Sequence, residues 1–200
     1  MKAILVRHGQ TDVNLEATVF STRDPELNLA GRAQVHILAD WLNRWPLAKV
    51  VSSPLKRAEE TARIIALDQG VEVTLESDLR ELDCGEAEGL TREELKEKFP
   101  GLVEEWLVRP ASARWPRGET LKEASDRVIG VLTRYARKYP EDAVCFVGHG
   151  IAFKGAVAEL LGIGSDHFRV LSLDEASVSI LEFYGDTVKL ELLNFAPWKR

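Results

Sequence analysis

Three polar clusters, each directly after a short apolar run, carry side chains suited to binding a phosphate. They read Arg7-His8-Gly9-Gln10-Thr11, Ser52-Ser53-Pro54-Leu55-Lys56-Arg57 and Gly148-His149-Gly150. Arginine offers a planar fork of N–H donors that matches phosphate oxygens. A helix that begins at such a cluster adds free backbone N–H groups, and glycine beside histidine lets the backbone approach a ligand closely. The clusters therefore indicate phosphate chemistry if the fold brings them together.

A zinc site is the competing interpretation of the same residues. Two histidines and a carboxylate could bind Zn²⁺, but two arginines beside them would repel a cation. We therefore expect no metal and no other cofactor. His36, within a helical pattern, and His167, in a loop, lack such surroundings and are expected to lie outside the site.

The composition limits the classes of partner. The 200 residues carry 26 basic and 32 acidic side chains, a net charge of −6, which argues against nucleic acid or an anionic membrane as a partner. Two cysteines, Cys84 and Cys145, are too few for a secreted disulfide scaffold. With no apolar stretch of membrane-spanning length, we expect a cytoplasmic protein, as a monomer or a homodimer.

Apolar runs alternate with helical patterns along the chain. The predicted strands are 3–6, 49–51, 71–75, 143–147, 178–184 and 187–193, and Gly185-Asp186 between the last two is a hairpin signal. Two predicted helices cover 29–45 and 121–139. A third is opened by Ser53 as N-cap with Pro54 in its first turn and runs to about residue 67. A fourth is opened by the capping box at Thr91, and a fifth runs from the third polar cluster to 161. Residues 109–120 are expected to form an ordered surface loop.

This alternation predicts an α/β fold, a three-layer sandwich with a mostly parallel mixed central sheet and helices on both faces. The length suits one domain over 1–200, with residues 80–120 as a small helical lobe over the active site. Because ligands bind at the carboxyl ends of the strands in such sheets, the three polar clusters are expected at one edge.

In sequence, the clusters resemble the signature of the histidine phosphatase superfamily, which includes cofactor-dependent phosphoglycerate mutases, α-ribazole phosphatases and broad-specificity phosphatases. The resemblance covers nearly the whole chain in order. Its motifs are Arg7–Thr11 with Asn14, Ser52–Ala62, Leu79–Gly89, Gly118–Thr120, Gly148–Gly150 and Ala176–Ser179. As a set these motifs are highly specific, although any single one is not.

The resemblance implies a role for each matching residue. His8 would be the nucleophile that forms a transient phosphohistidine, and Glu81 would protonate the leaving oxygen and then accept a proton from water. Arg7, Arg57 and His149 would neutralise the phosphoryl oxygens. Substrate contacts would come from Gly9, Gln10, Thr11, Asn14 and Gly150.

Departures from the family pattern favour a phosphatase. Thr18-Val19-Phe20-Ser21 stands where many relatives have a basic residue and a Gln-Gly pair, so this wall of the pocket is expected to be less basic, and the longer segments of the mutases are missing. We therefore expect hydrolysis of a small phosphorylated metabolite. A phosphoglycerate mutase is the alternative. A phosphate-binding module without catalysis is disfavoured, because it would have no use for the acid Glu81. Trp106 and Trp115 either close over the substrate or, as we favour, pack in the lobe.

Overall fold

A computed structural model describes residues 1–15, 18–19, 23–185 and 187–199. Its strands are β1 (Lys2–Arg7), β2 (Leu47–Ser52), β3 (Val73–Leu75), β4 (Ala143–Gly148), β5 (Val178–Tyr184) and β6 (Thr187–Phe195). Its α-helices are α1 (Leu29–Leu42), α2 (Lys56–Gln69), α3 (Arg92–Lys98), α4 (Leu102–Val108), α5 (Leu121–Lys138) and α6 (Gly150–Leu160). Short 3-10 turns, among them Ser165–Val170, connect several of them.

The six strands form one mixed sheet in the order β3-β2-β4-β1-β5-β6. β3, β2, β4 and β1 are parallel, whereas β5 is antiparallel to β1 and β6 to β5. The α/β class and the mixed sheet are therefore as the sequence predicts. The hairpin between β5 and β6 also forms, with Tyr184 opposite Thr187, although Asp186 lies outside the described residues.

Burial of both faces explains why the central strands are continuously apolar. Ala3 and Leu5 of β1 point into a core shared with α5 and α6, and Ile4 and Val6 point into a second core shared with α1 and α2. These two cores separate the three layers. A third cluster, with Leu82, Leu95, Leu102 and Trp115 among its members, forms the interior of the segment between residues 80 and 120.

The predicted start of α2 is wrong. The helix begins at Lys56, with Leu55 at the N-cap position and no side-chain capping bond, so neither Ser53 nor Pro54 belongs to it. The Ser53 hydroxyl instead accepts a bond from the Leu55 amide at 3.3 Å. This serine–proline pair makes a turn before the helix, an alternative that serine offers as readily as a cap.

Three further features differ from the sequence expectation. Helix α4 is absent from the predictions because its seven residues are too few to show a helical period. The loop at 109–120 has no helix or strand, but it is not simply a surface loop, since Ala113 and Trp115 are buried. Helix α1 also ends at Leu42 rather than near Trp45.

Candidate active site

The sheet register places the three polar clusters side by side. Arg7, the last residue of β1, is opposite Gly148 of β4, and Ser52, the last residue of β2, is opposite Val147. The segments that leave these three neighbouring parallel strands therefore start from one edge of the sheet. His8 and His149 lie there with ring centroids 5.2 Å apart.

Hydrogen bonds to the imidazole of His8 define its tautomer. Nδ1 is 2.7 Å from the carbonyl oxygen of Gly9, a pure acceptor, so Nδ1 carries the proton. Nε2 accepts a bond from Nε of Arg57 at 3.2 Å, and it therefore presents a lone pair. The ring is held from both sides, with Nε2 directed at a guanidinium group.

Burial and positive charge keep His8 neutral. The side chain is 2% exposed. Burial, and then the charges of Arg57 and Arg7, hold the pKa of His8 well below its usual 6.5. Arg57 is itself completely buried, and burial lowers its pKa to about 10, so it stays cationic at neutral pH. The site pairs a neutral imidazole with a fixed cation.

His149, the residue before α6, is completely buried and packs behind His8. Its Nε2 bonds the hydroxyl of Ser53 at 2.8 Å. Burial and the charge of Arg57 hold the pKa of His149 well below 6.5. Among the described atoms, its Nδ1 has no hydrogen-bond partner, and the same holds for Nε of Arg7. Buried polar groups of this kind normally have a partner, so these two nitrogens point to a ligand.

A small cavity of about 220 Å³ lies over Arg7, His8 and Arg57, and His149 is not part of its lining. Its lining residues are Arg7, His8, Asn14, Arg57, Glu81, Gly150, Ile151, Lys154 and Leu173. A larger hollow of about 660 Å³ lies at the opposite edge of the sheet, beside Met1, Lys2 and Pro140. We assign the site to the smaller cavity because its walls carry the two arginines, the neutral histidine and the carboxylate.

Glu81 is fixed in the cavity wall by the first turn of α6. Its Oε1 accepts bonds from the amides of Leu82 at 2.9 Å and Ala152 at 2.8 Å, and its Oε2 accepts one from Ile151 at 3.0 Å. A carboxylate oxygen has two acceptor positions, so these bonds leave one position on Oε2 for a proton. The helix N-terminus thus holds a carboxyl group beside the arginines.

The residues expected to contact substrate divide into two groups. Asn14 and Gly150 line the cavity. Gly9, Gln10 and Thr11 instead build the wall behind it: the Gln10 side-chain oxygen accepts from Asn28 at 3.1 Å, and the Thr11 hydroxyl donates to Asn14 at 2.8 Å. Their polar groups are used within the protein, which positions His8 and Asn14.

Two residues of the site were missed by sequence reasoning as individual members. Ser53 is the partner of His149, and Lys154 lines the cavity one helical turn after Gly150. Lys154 has a signal in the sequence, because it is the one basic residue of the otherwise mostly apolar α6. Ser53 stands in the second polar cluster, but nothing in the sequence pairs it with His149, because that contact depends on the adjacency of β2 and β4.

Of the segment expected to make the pocket wall less basic, the two described residues lie outside the cavity lining. Thr18 pairs with Thr91, and the Val19 amide donates to Leu90 at 2.9 Å. Phe20 and Ser21 lie outside the described residues. Trp115 is buried in the lobe, edge-on to Trp106 with ring centroids 5.2 Å apart.

Two other features are absent from the described part of the chain. No group of three or more histidine, cysteine or acidic side chains is arranged to hold a metal ion. No helix in that part is both long and apolar enough to cross a membrane. His36 and His167 are exposed and lie away from the cavity lining.

Comparison with protein families decides the classification, because the model of the histidine phosphatase superfamily (branch 1) matches residues 3–196. The chain belongs to this superfamily. It is therefore an enzyme of the histidine phosphatase type, as the sequence motifs indicate, with the α/β fold of that group.

Individual relatives span both activities of the superfamily. The chain is 33% identical over 181 residues to phosphoserine phosphatase 1 of Hydrogenobacter thermophilus, covering 90% of this chain and 86% of the relative. It is 31% identical over 183 residues to a probable phosphoglycerate mutase, GpmB, of Salmonella choleraesuis, covering 92% and 85%. A mycobacterial glucosyl-3-phosphoglycerate phosphatase, solved with VO3, superposes with a TM-score of 0.86 at 27% identity, covering 96% and 98%.

Proposed function

We propose that this enzyme hydrolyses a small phosphomonoester through a phosphohistidine on Nε2 of His8, with water as the final acceptor. The observation that carries the proposal is the hydrogen bonding of His8, which leaves the lone pair on Nε2 inside a cavity lined by Arg7 and Arg57. A neutral imidazole with a fixed tautomer is a competent nucleophile at neutral pH.

The two arginines and His149 would bind the phosphoryl group. Nε of Arg7 is a buried donor without a partner among the described residues, and the Arg57 guanidinium can turn its bond from His8 to a phosphoryl oxygen. His149 lies behind the cavity lining, and its buried Nδ1 would reach a phosphoryl oxygen only from that side. Donors and positive charge fixed in advance around the phosphorus stabilise the charge that spreads over its oxygens during transfer.

The reaction then proceeds in two balanced steps. The lone pair of Nε2 forms the N–P bond while the P–O bond of the ester breaks, and the leaving alkoxide takes a proton from Oε2 of Glu81. Water next attacks the phosphorus of phosphohistidine, its proton passes to Glu81, and the N–P bond breaks to release inorganic phosphate. The acceptor position that the backbone amides leave free on Oε2 would carry the proton in both steps.

Trapping of the intermediate tests the nucleophile. Brief mixing with p-nitrophenyl phosphate, followed by denaturation in base and mass spectrometry, should show one phosphoryl group on the peptide that contains His8. His8→Ala should lose both the adduct and turnover, whereas His36→Ala, at an exposed histidine, should keep both. A His8→Ala protein with near-normal turnover would remove this residue from the nucleophile role.

We also propose metal-independent catalysis, so that EDTA leaves the rate unchanged; loss of rate that zinc restores would contradict this.

Replacement of the carboxyl tests the acid. Glu81→Gln should slow hydrolysis of alkyl phosphates by about 100-fold or more, and that of p-nitrophenyl phosphate much less, because nitrophenolate leaves without a proton. The amide NH₂ introduced at this position would face the Ile151 N–H, placing two donors against each other and lowering stability. The thermal unfolding of the variant and of the wild type is therefore measured in parallel. Glu86→Gln, at an exposed acid in the same segment, is the matched control. Equal slowing of both substrate types would argue against an acid role.

A phosphoglycerate mutase remains the second candidate, favoured by the similarity to the GpmB relative. A mutase would return the phosphoryl group to the bound product rather than to water. Incubation with 3-phosphoglycerate and 2,3-bisphosphoglycerate separates the two, since formation of 2-phosphoglycerate faster than release of inorganic phosphate would identify the mutase.

A further inference from the structure

A second cavity of about 470 Å³ opens directly beside the phosphate cavity. The two share Ile151, Lys154 and Leu173 as a common wall. The remaining lining residues of the second cavity are Trp106, Phe168, Arg169, Leu171, Ser172 and Asp174. A phosphomonoester bound by His8 would extend its alcohol part past Lys154 into this space.

Two cations converge on the second cavity. Nζ of Lys154 lies 4.9 Å from the ring centroid of Phe168, and the guanidinium carbon of Arg169 lies 4.7 Å from the same centroid. Arg169 also donates to the carbonyl oxygen of Trp106 at 2.9 Å. Within the described part of the chain, neither cation has a carboxylate within ion-pairing distance.

Among the described residues, neither charge is neutralised by a direct ion pair. Lys154 is half-buried, and burial lowers its pKa, with the charge of Glu81 acting in the opposite direction. Asp174, the one acid in the wall, is held by Lys199 at 2.8 Å and by Asn194 at 3.0 Å. The two positive groups repel each other, and an anion bound between them would offset that repulsion.

We propose that the second cavity receives the alcohol part of the substrate and that Lys154 and Arg169 bind a second anionic group on it, a carboxylate or another phosphate. This assignment rests on the proposed phosphatase activity at His8. Trp106 and Phe168 cover the carbon skeleton between the two anionic groups. The preferred substrate is thus a small phosphomonoester with a second anionic group, rather than a sugar phosphate whose alcohol part is uncharged.

Matched substrates test the assignment kinetically. 3-Phosphoglycerate and glycerol 3-phosphate differ by a carboxylate in place of a hydroxymethyl group, and fructose 1,6-bisphosphate and fructose 6-phosphate differ by a phosphate. At least one anionic member should show kcat/KM about tenfold above its partner, as expected for one charged hydrogen bond. The pair that shows the preference identifies the anion as carboxylate or phosphate, and no preference in either pair would overturn the proposal.

Variants of Arg169 separate this effect from phosphate binding, because Arg169 lines only the second cavity. Arg169→Met should remove the preference, lowering kcat/KM about tenfold for the anionic substrate while leaving the neutral one and p-nitrophenyl phosphate within about twofold. Arg169→Lys, which retains the charge, should keep most of the preference. Equal losses on all substrates would mean that Arg169 only supports the fold around Trp106 and would overturn the proposal.

A binding measurement makes the inference independent of turnover. The phosphonate analogues of 3-phosphoglycerate and glycerol 3-phosphate, with CH₂ in place of the ester oxygen, cannot be hydrolysed by this route. Calorimetry on the wild-type enzyme should give about tenfold tighter binding of the carboxylate analogue if the carboxylate is the anion, with Arg169→Met abolishing the difference. Fructose 1,6-bisphosphate and fructose 6-phosphate titrated into His8→Ala test the phosphate. Normal hydrolysis of p-nitrophenyl phosphate with equal binding in both pairs would overturn this inference alone, whereas a difference in binding without hydrolysis would overturn the phosphatase proposal alone.

Discussion

The contact between Gly31 and Gln10 connects the start of α1 to the loop that holds His8. A Cβ atom added at Gly31 would lie 2.1 Å from the carbonyl oxygen of Gln10, about 1.3 Å short of the 3.4 Å at which ordinary contact begins. The obstacle is backbone and cannot rotate away. Asn28 also holds Gln10 in place with two hydrogen bonds. Its backbone amide donates to the backbone carbonyl oxygen of Gln10 at 3.0 Å, and its side-chain amide donates to the side-chain oxygen at 3.1 Å.

Gly31→Ala should therefore displace the loop that holds His8. Overpacking of this kind costs about 1–3 kcal/mol of the free energy of unfolding, which exceeds any gain in helix propensity at the end of a helix. The shift would pass through Gly9, whose carbonyl oxygen accepts the bond from Nδ1 of His8. A misplacement of about 1 Å at the nucleophile should lower kcat about 100-fold.

The same substitution elsewhere provides the control. Gly130, in the middle of α5, is exposed and has open space where its Cβ would lie. Gly130→Ala should raise the free energy of unfolding by about 1 kcal/mol, and the unfolding midpoint by about 2–4 °C, at unchanged activity. Both variants are measured by thermal unfolding and by kcat/KM for p-nitrophenyl phosphate. A Gly31→Ala enzyme with wild-type stability and rate would refute the close approach and the positioning role of this loop.

Two further predictions concern the buried histidines. The pKa values of His8 and His149 are held well below 6.5 in the folded protein, so below about pH 6.5 the unfolded chain binds more protons than the folded one. The free energy of unfolding should therefore fall by about 1.4 kcal/mol for each histidine per unit decrease in pH. Urea unfolding between pH 5 and 7.5 measures this; His149→Gln should flatten the dependence and His36→Gln should not, and a flat wild-type profile would contradict the burial argument. Ser53→Ala, which removes the partner of His149 Nε2, should cost about 1–3 kcal/mol of stability and lower kcat, whereas Ser112→Ala at an exposed serine should be neutral; the same unfolding and kinetic assays decide, and an unaffected Ser53→Ala enzyme would show that this bond does not orient His149.

The outline of the fold was readable from the chain because its signals are local. The alternating core faces of β1 and β4 require continuous apolar runs, and the capping box at Thr91 marks the start of α3. The start of α2 was not readable, because Ser53 and Pro54 suit a turn as well as a cap. Helix α4 could not be predicted because its seven residues are too few to show a helical period. It is stabilised instead by packing of Leu102 and Val103 in the third hydrophobic cluster.

The candidate site divides in the same manner. The sequence by itself determined which groups are present, namely the histidines, arginines and carboxyl group, and the order of motifs that marks the superfamily, because residue types and spacing are properties of the chain alone. Only the tertiary structure decided which nitrogen of His8 bears the proton, that α6 holds Glu81, and that Lys154 stands between two cavities. Those facts depend on hydrogen bonds and side-chain directions between segments far apart in the chain, which exist only once the strands have set their register.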